Sequence, residues 1–375
     1  MPILLLLLLF LVACSDPDAG DRAATWVVGP DPVLEIGVMD GDPDRQFSQI
    51  LAVLELDDGR IVVADGRAPD GALRLFSADG AFLDRTLPAG EGPREAQTVR
   101  WAGIVEGGIG VWDSGLRRLS VVDVDAEGFV WRESRPLALV HPEPQEPAPD
   151  TQLMLQFPPQ LLGVLSDGSF VGLPQSIGGG RFGERTRFEN AIYRWDADGT
   201  PMGEIRTVAT AEVTVPDVTA GQSAPPSTPF PYRLAVRLHE DRILLGTDTR
   251  GFVIEILSPE GEVEETLDWE GGSRAVTPEL QSAWLEEQEV EEATFPEVHA
   301  PFRSIRVAED GHYWIGGEVL PGQAEFWHVL DPEGAYLGRV PSPGRFVAHR
   351  ITGSEMLGVY TDDFDVQYVR RYPIQ

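Results

Sequence analysis

Short apolar runs alternate with tight-turn signals along most of this chain. Asp57-Asp58-Gly59 leads into Ile61-Val62-Val63-Ala64-Asp65. Leu73-Arg74-Leu75-Phe76 leads into the turn Ser77-Ala78-Asp79-Gly80 and then Phe82-Leu83. Asp-Gly pairs between such runs signal hairpins, because the turn needs positive φ. The pattern predicts strand, tight turn, strand, loop, strand, tight turn, strand.

The unit recurs. Its second copy holds Ile109-Gly110-Val111-Trp112-Asp113, Leu119-Ser120-Val121-Val122 and the turn Ala126-Glu127-Gly128. The third, stretched by insertions, holds Phe170-Val171-Gly172, Ile192-Tyr193-Arg194-Trp195 and Ala197-Asp198-Gly199. Ile243-Leu244-Leu245-Gly246 with Phe252 to Ile256 mark the fourth, and Tyr313-Trp314-Ile315 with Phe326 to Leu330 the fifth. The sixth has Met356 to Tyr360 and Val366 to Arg370, and is one strand short. Val33-Leu34-Glu35-Ile36 can supply that strand, tying the first blade to the last and removing an open edge. Four short antiparallel strands repeated over about 40–50 residues mark a β-propeller. The expected fold is all-β: six four-stranded antiparallel blades closed by an N-terminal strand.

Three stretches do not fit a blade. His141 to Asp150 has four prolines in ten residues and cannot hold regular structure. Val215 to Pro231 is rich in Pro, Ser and Thr and reads as a loop. Thr277 to Ala293 reads as one inserted helix over the disc. Thr277 can cap it, Pro278 suits its first position, Glu279 complements its dipole, and Leu280, Trp284 and Leu285 share a face.

The N-terminus carries an address. Ile3 to Val12 is an unbroken apolar run of 10 residues, too short to span a bilayer and matched to a signal-peptide core. It ends Leu11-Val12-Ala13-Cys14, which resembles the bacterial lipobox, and Cys14 is the single cysteine of the chain. Residues 1–14 therefore read as a lipoprotein signal with Cys14 lipidated. Residues 15–31 read as a polar tether and 32–375 as the propeller. No later segment reaches the roughly 18 apolar residues of a membrane helix. The expected location is the bacterial cell envelope, on the periplasmic or outer-membrane face, with the lipid as the only membrane contact.

Composition narrows the chemistry. Of 375 residues, 42% are hydrophobic, so a sizeable core can form. There are 61 acidic residues against 29 basic ones, a net charge of −32, which argues against nucleic acid as a partner. Every basic residue is Arg, so Schiff-base and P-loop lysines are excluded. With one Cys, neither an internal disulfide nor Cys-ligated zinc can form. Asp123, Asp125 and Glu127 imitate the start of a calcium loop, but Ser134 stands where the bidentate Glu is needed, and the segment reads as a hairpin. The six histidines are scattered over turns and strands, so no metal and no cofactor is expected.

Gly90-Glu91-Gly92-Pro93, followed by Val111-Trp112-Asp113, Arg117-Arg118-Leu119 and Val121-Val122-Asp123, resembles the NHL-repeat pattern. There a Gly-rich turn enters a blade and an Asp-to-Arg run joins its middle strands. Residues 33–375 as a whole resemble the lipid-anchored six-bladed propellers of the NHL and TolB-like group. Some six-bladed propellers are calcium-dependent lactonases, whose sites use two asparagines, a glutamate and an aspartate. This chain owns only Asn190, so that site cannot assemble in its usual form.

One feature recurs. Counting eight residues back from the first-hairpin anchors Gly108, Gly168, Asp241, Gly311 and Gly353 gives Arg100, Gln160, Arg233, Arg303 and Arg345. Only the first copy, with Leu51, departs. Trp101, Tyr232, Phe302 and Phe346 sit beside them. Equal register in successive blades predicts a ring at the channel mouth, able to bind an anion with bidentate geometry. The expectation is a monomeric binding or scaffolding module without catalysis of its own, taking a small anionic ligand or an envelope protein. The alternative is a lyase or hydrolase working at the same mouth.

Overall fold

The computed structural model describes residues 24–140, 154–178, 183–215, 227–247 and 251–375. Strand β1 (Leu34–Ile36) comes first in the chain but belongs to the last blade. The first blade is β2 (Ile50–Glu55), β3 (Ile61–Asp65), β4 (Leu73–Phe76) and β5 (Phe82–Thr86). The second is β6 (Val99–Val105), β7 (Gly108–Asp113), β8 (Arg118–Val124) and β9 (Phe129–Pro136). The third is β10 (Met154–Val164), β11 (Phe170–Gly178), β12 (Arg185–Trp195) and β13 (Pro201–Thr214). The fourth is β14 (Ala235–His239), β15 (Arg242–Thr247), β16 (Val253–Leu257) and β17 (Val263–Asp268). After helix α1 (Pro278–Glu287) come β18 (Phe302–Val307), β19 (Tyr313–Gly317), β20 (Phe326–Leu330) and β21 (Tyr336–Pro341). The sixth blade is β22 (Phe346–Ile351), β23 (Glu355–Thr361) and β24 (Gln367–Pro373), with β1 as its outer strand.

Burial explains why the middle strands are continuous apolar runs. Every residue of β3, β7 and β19 is buried, because each blade is covered on both faces by its neighbours. The outer strand β5 faces solvent and alternates between exposed and half-buried positions. Each pair of adjacent blades shares one apolar cluster. Val62, Leu73 and Leu75 meet Ile109, Val111 and Val122 between the first two blades. The ring closes where Leu34, Ile36 and Val369 pack on Ile61, Val63 and Phe76. In register, Leu34 pairs with Arg371 and Ile36 with Val369.

Part of the stretch expected to be a polar tether, residues 24–31, packs on the disc. Trp26 and Val28 pack on the cluster between the fifth and sixth blades, with Trp26 edge-on to His312 at 5.2 Å. Val27 and Gln375 exchange backbone hydrogen bonds of 2.9 Å each, and the Gly29 amide donates to Pro373 at 2.8 Å. From Ala24 onward the chain is part of the disc. The signal segment and Cys14 lie outside the described residues, as do His141 to Asp150 and residues 216–226 of the second insertion.

Buried aspartates fix the loops that enter the channel wall. Asp113, at the end of β7, accepts from the amides of Gln97 (2.5 Å), Thr98 (3.1 Å) and Leu116 (3.0 Å). Asp65 does the same one blade earlier, for Ser48, Gln49 and Arg67. Arg118 lies opposite Asp113 across the β7–β8 pair and donates to the carbonyls of Gly92 (2.5 Å) and Glu95. The Asp-to-Arg run thus holds the Gly-rich turn against the blade. Helix α1 begins as expected, with Thr277 Oγ1 accepting from the Leu280 amide at 3.3 Å. Its Leu280 and Trp284 bury against Phe230, Val276 and Phe295, while Glu279, Glu286 and Glu287 face solvent.

Candidate functional site

The first strand of each blade lines the axis. Together these strands enclose an open channel of about 880 Å³, bounded by β2, β6, β10, β14, Arg306 and His349. Two tiers of charge line it; a third, of arginines that are not among its lining residues, stands where the inner strands begin.

The upper tier is where the inner strands begin. Leu51, Arg100 and Arg303 are the extra residues at β-bulges between Ile50 and Ala52, Val99 and Trp101, and Phe302 and Ser304. They hold one structural position in three blades, and of the three only Leu51 lines the channel. Gln160 follows a bulge in β10 and lines the channel. Arg345, with φ +45°, immediately precedes its strand, and Arg233 stands two residues before β14 in an isolated bridge with Ala211. All four arginines are exposed. Their partners differ. Arg303 is paired with Glu325, and Arg345 with Asp363 (2.9 Å) and Asp365 (3.1 Å). Neither the Arg100 nor the Arg233 guanidinium makes a hydrogen bond or ion pair among the described residues.

Of the aromatic neighbours, only Trp101 lines the channel. Phe302 is buried and stacked on Trp269 at 5.8 Å, and Phe346 meets Tyr372 edge-on at 5.1 Å. Tyr232 is buried beneath the Arg187 guanidinium, 4.8 Å from its ring centre. These rings pack blades together instead of facing a ligand.

One acid joins this tier. Glu318 follows β19 and is half-buried. Burial pushes its carboxyl up to about 7, against the pull of Arg303 and Arg233. It borders a groove of about 290 Å³ between α1 and the segment after β19, with Phe230, Trp284, Gln288 and Leu320.

The middle tier holds Arg237 on β14, Arg306 on β18 and His349 on β22, from three consecutive blades. Arg306 donates Nε–H to the Ala348 carbonyl (2.5 Å) and Nη1–H to that of Ile305 (2.8 Å). The Arg237 guanidinium has no hydrogen bond or ion pair among the described residues. His349 is the bulged residue between Ala348 and Arg350, and its Nδ1 accepts from the Val53 amide at 3.3 Å. Burial lowers the Arg306 pKa to about 9, with Arg237 adding repulsion. Burial, then Arg306 and Arg237, lowers His349 to about 3. The imidazole is therefore neutral, with Nδ1 as acceptor and Nε2–H left as a donor.

The lower tier is acidic. Glu106, Asp167, Glu240 and Asp241 line the channel at the turns that end its strands. The Ser166 amide donates to Asp241 at 2.8 Å. The channel thus runs from a cationic waist to carboxylates at its lower end. Among the described residues no three or more His, Cys, Asp or Glu side chains group as a metal site.

The waist is not visible to the eight-residue count. Four residues back from Asp241 and Gly353 stand Arg237 and His349, but Arg306 is five back from Gly311. The β14–β15 turn holds two residues between its last paired positions and the β18–β19 turn five, so a fixed count slips by one.

No family model and no curated protein matches the chain. Among solved structures, it is similar to a Bacteroides fragilis NCTC 9343 protein named "Putative exported protein". That match has 10% identity and a TM-score of 0.47, and covers 94% of this chain and 96% of the other. It is also similar to the PQQ-bound aldose sugar dehydrogenase of Streptomyces coelicolor, at 13% identity and TM-score 0.43, covering 94% and 99%. Neither likeness bears on what this chain binds or does. No helix among the described residues is long and apolar enough to cross a membrane.

Proposed function

We propose that the chain is an exported propeller of the NHL and TolB-like group, lipid-anchored at Cys14, that binds a small anionic ligand through the arginine mouth of its channel. The apolar run ending in Ala13-Cys14 supports the address. The observation that carries the ligand reading is Arg100 and Arg233. On a chain of net charge −32, two exposed guanidiniums near the start of the channel-lining strands make no hydrogen bond or ion pair among the described residues, and the carboxyl that acts on Arg233, Glu318, is raised to about 7. A cation patch confined to a low-dielectric cleft on an acidic body draws anions to that cleft and away from the rest of the surface.

The test is binding of a panel of small carboxylates and phosphates to the full chain, read as a rise in melting temperature. Each charge-assisted bond contributes about 1.5–3 kcal/mol. Changing Arg100 and Arg233 together to Gln is expected to weaken binding about a hundredfold. A shift as large in the double variant as in the wild type would contradict the reading.

Glu318 supports a second reading. A carboxyl that titrates near neutrality beside two guanidiniums is suited to general acid–base work at an anionic substrate. A lyase or hydrolase would then show turnover of a polyuronide, lactone or ester with an optimum near pH 7. That turnover would disappear in Glu318→Gln, and its absence across the panel would leave the binding reading alone.

A further inference from the structure

We propose that the waist of the channel, formed by Arg237, Arg306 and His349, is the seat of the ligand, and that the group it holds is the dianionic phosphate of a small phosphate monoester. This deepens the ligand reading above and rests on it.

The geometry argues for an acceptor-only group. Two guanidiniums and a neutral imidazole present N–H donors alone, since the His349 Nδ1 lone pair is already used by the Val53 amide. Arg306 has its Nε and one Nη1 hydrogen fixed on backbone carbonyls, so its guanidinium is held in place with Nη2 still to donate. Arg237 has its whole fork available. The three donors come from three successive blades and line one cavity. Three converging donors match the three terminal oxygens of a phosphate monoester better than the two of a carboxylate. The charge also matches. Two half-buried arginines stand together, and a phosphate monoester carries about −1.5 to −2 at pH 7.

The rest of the channel favours an organic phosphate over the bare ion. The cavity is far larger than one phosphate group, and Val53, Leu54, Val236 and Leu238 line it near the waist. Entry is set by the end tiers. The acidic turns repel an anion from below, while Arg100 and Arg233 attract it from above. The mouth captures, and the waist holds.

The waist differs from an ordinary structural ion cluster in one respect. Arg237 and Arg306 repel each other with no carboxylate among the groups acting on either. Removing Arg237 should therefore raise the melting temperature of the ligand-free protein while weakening anion binding. A residue kept for stability would do the reverse.

The experiment uses the full chain at pH 7.5 with inorganic phosphate, glycerol 2-phosphate and succinate, against chloride at matched ionic strength. Glycerol 2-phosphate and phosphate are expected to raise the melting temperature of the wild type well above the succinate effect. Arg237→Gln should weaken phosphate binding by about tenfold or more, and should melt higher than wild type without ligand. A second measurement needs no variant. Phenylglyoxal labelling of Arg237 in the wild type, followed by mass spectrometry, should be slowed by phosphate. Equal phosphate stabilisation in wild type and Arg237→Gln, lost only in the Arg100→Gln/Arg233→Gln variant, overturns the waist and leaves the mouth as the site. Equal stabilisation by succinate and phosphate overturns the choice of a phosphate group. No stabilisation of the wild type by any anion, with unprotected Arg237, overturns both this inference and the ligand reading beneath it.

Discussion

Deletion of residues 26–38 is expected to leave an aggregating protein with little native stability. The segment carries Leu34 and Ile36, which bury in the cluster joining the sixth blade to the first, and Trp26 and Val28, which cover the neighbouring one. Full burial of a Leu or Ile side chain is worth about 1.5–3 kcal/mol, so Leu34 and Ile36 alone account for about 3–6 kcal/mol. Domains commonly have about 5–15 kcal/mol in all. Deletion also uncovers the β24 edge, with the amides and carbonyls that now pair Val369 to Arg371 with β1. An unpaired edge of this kind recruits other chains. Size-exclusion chromatography and calorimetry decide the matter. A deleted protein that stays monomeric with an unchanged melting temperature would mean that the ring holds without its closing strand.

The second large effect is acid lability centred on His328. This imidazole is fully buried in a cage of Phe252, Trp269, Phe326 and Tyr336. Its Nδ1 lies 3.0 Å from the Tyr336 hydroxyl, and its Nε2 is buried with no hydrogen-bond partner among the described residues. Burial, with Arg339 adding repulsion, lowers its pKa to about 3 from 6.5. Between those values the unfolded chain binds a proton that the native chain does not, so stability rises with pH and is lost as pH falls from about 6.5 toward 3. The slope for one such group is about 1.4 kcal/mol per pH unit. His349 adds a second in the same window. Glu318 works the other way: its folded pKa is raised, so the stability it costs grows as pH rises from about 4.5 to 7. Replacing His328 with Phe should remove one His contribution, recovering about 3 kcal/mol at pH 4 relative to pH 7. Urea unfolding at the two pH values measures this. Parallel pH profiles in wild type and variant would show that His328 does not titrate as described.

The architecture was legible because a propeller repeats its turn chemistry. Asp-Gly turns and fully apolar middle strands mark each blade locally, and β1 could be placed because the last copy lacked a strand. The arginine count found a real structural equivalence in Leu51, Arg100 and Arg303, since the same bulge recurs at each. What it could not find were the partners. Glu325, Asp363 and Asp365 reach Arg303 and Arg345 from loops 18 to 22 residues away, where no period applies. The waist escaped for a related reason. A bulge at His349 and turns of unequal length break the fixed spacing on which a count depends. Trp26 and Val28 were hidden because Trp26-Val27-Val28 is an apolar run of only three residues at the end of a polar segment, and so short a run carries no signal without the surface it covers.

The docking of the N-terminal segment also makes it a clasp across two seams. Ile374 bonds to the Ser354 carbonyl at 2.6 Å, Trp26 sits against His312, and the Ala24 amide donates to the Arg339 carbonyl at 3.0 Å on the outer strand of the fifth blade. Residues 24–29 thus bridge the fifth and sixth blades, while β1 joins the sixth to the first. One short stretch of chain holds three neighbouring blades in line, so a local opening that begins there loosens both seams at once.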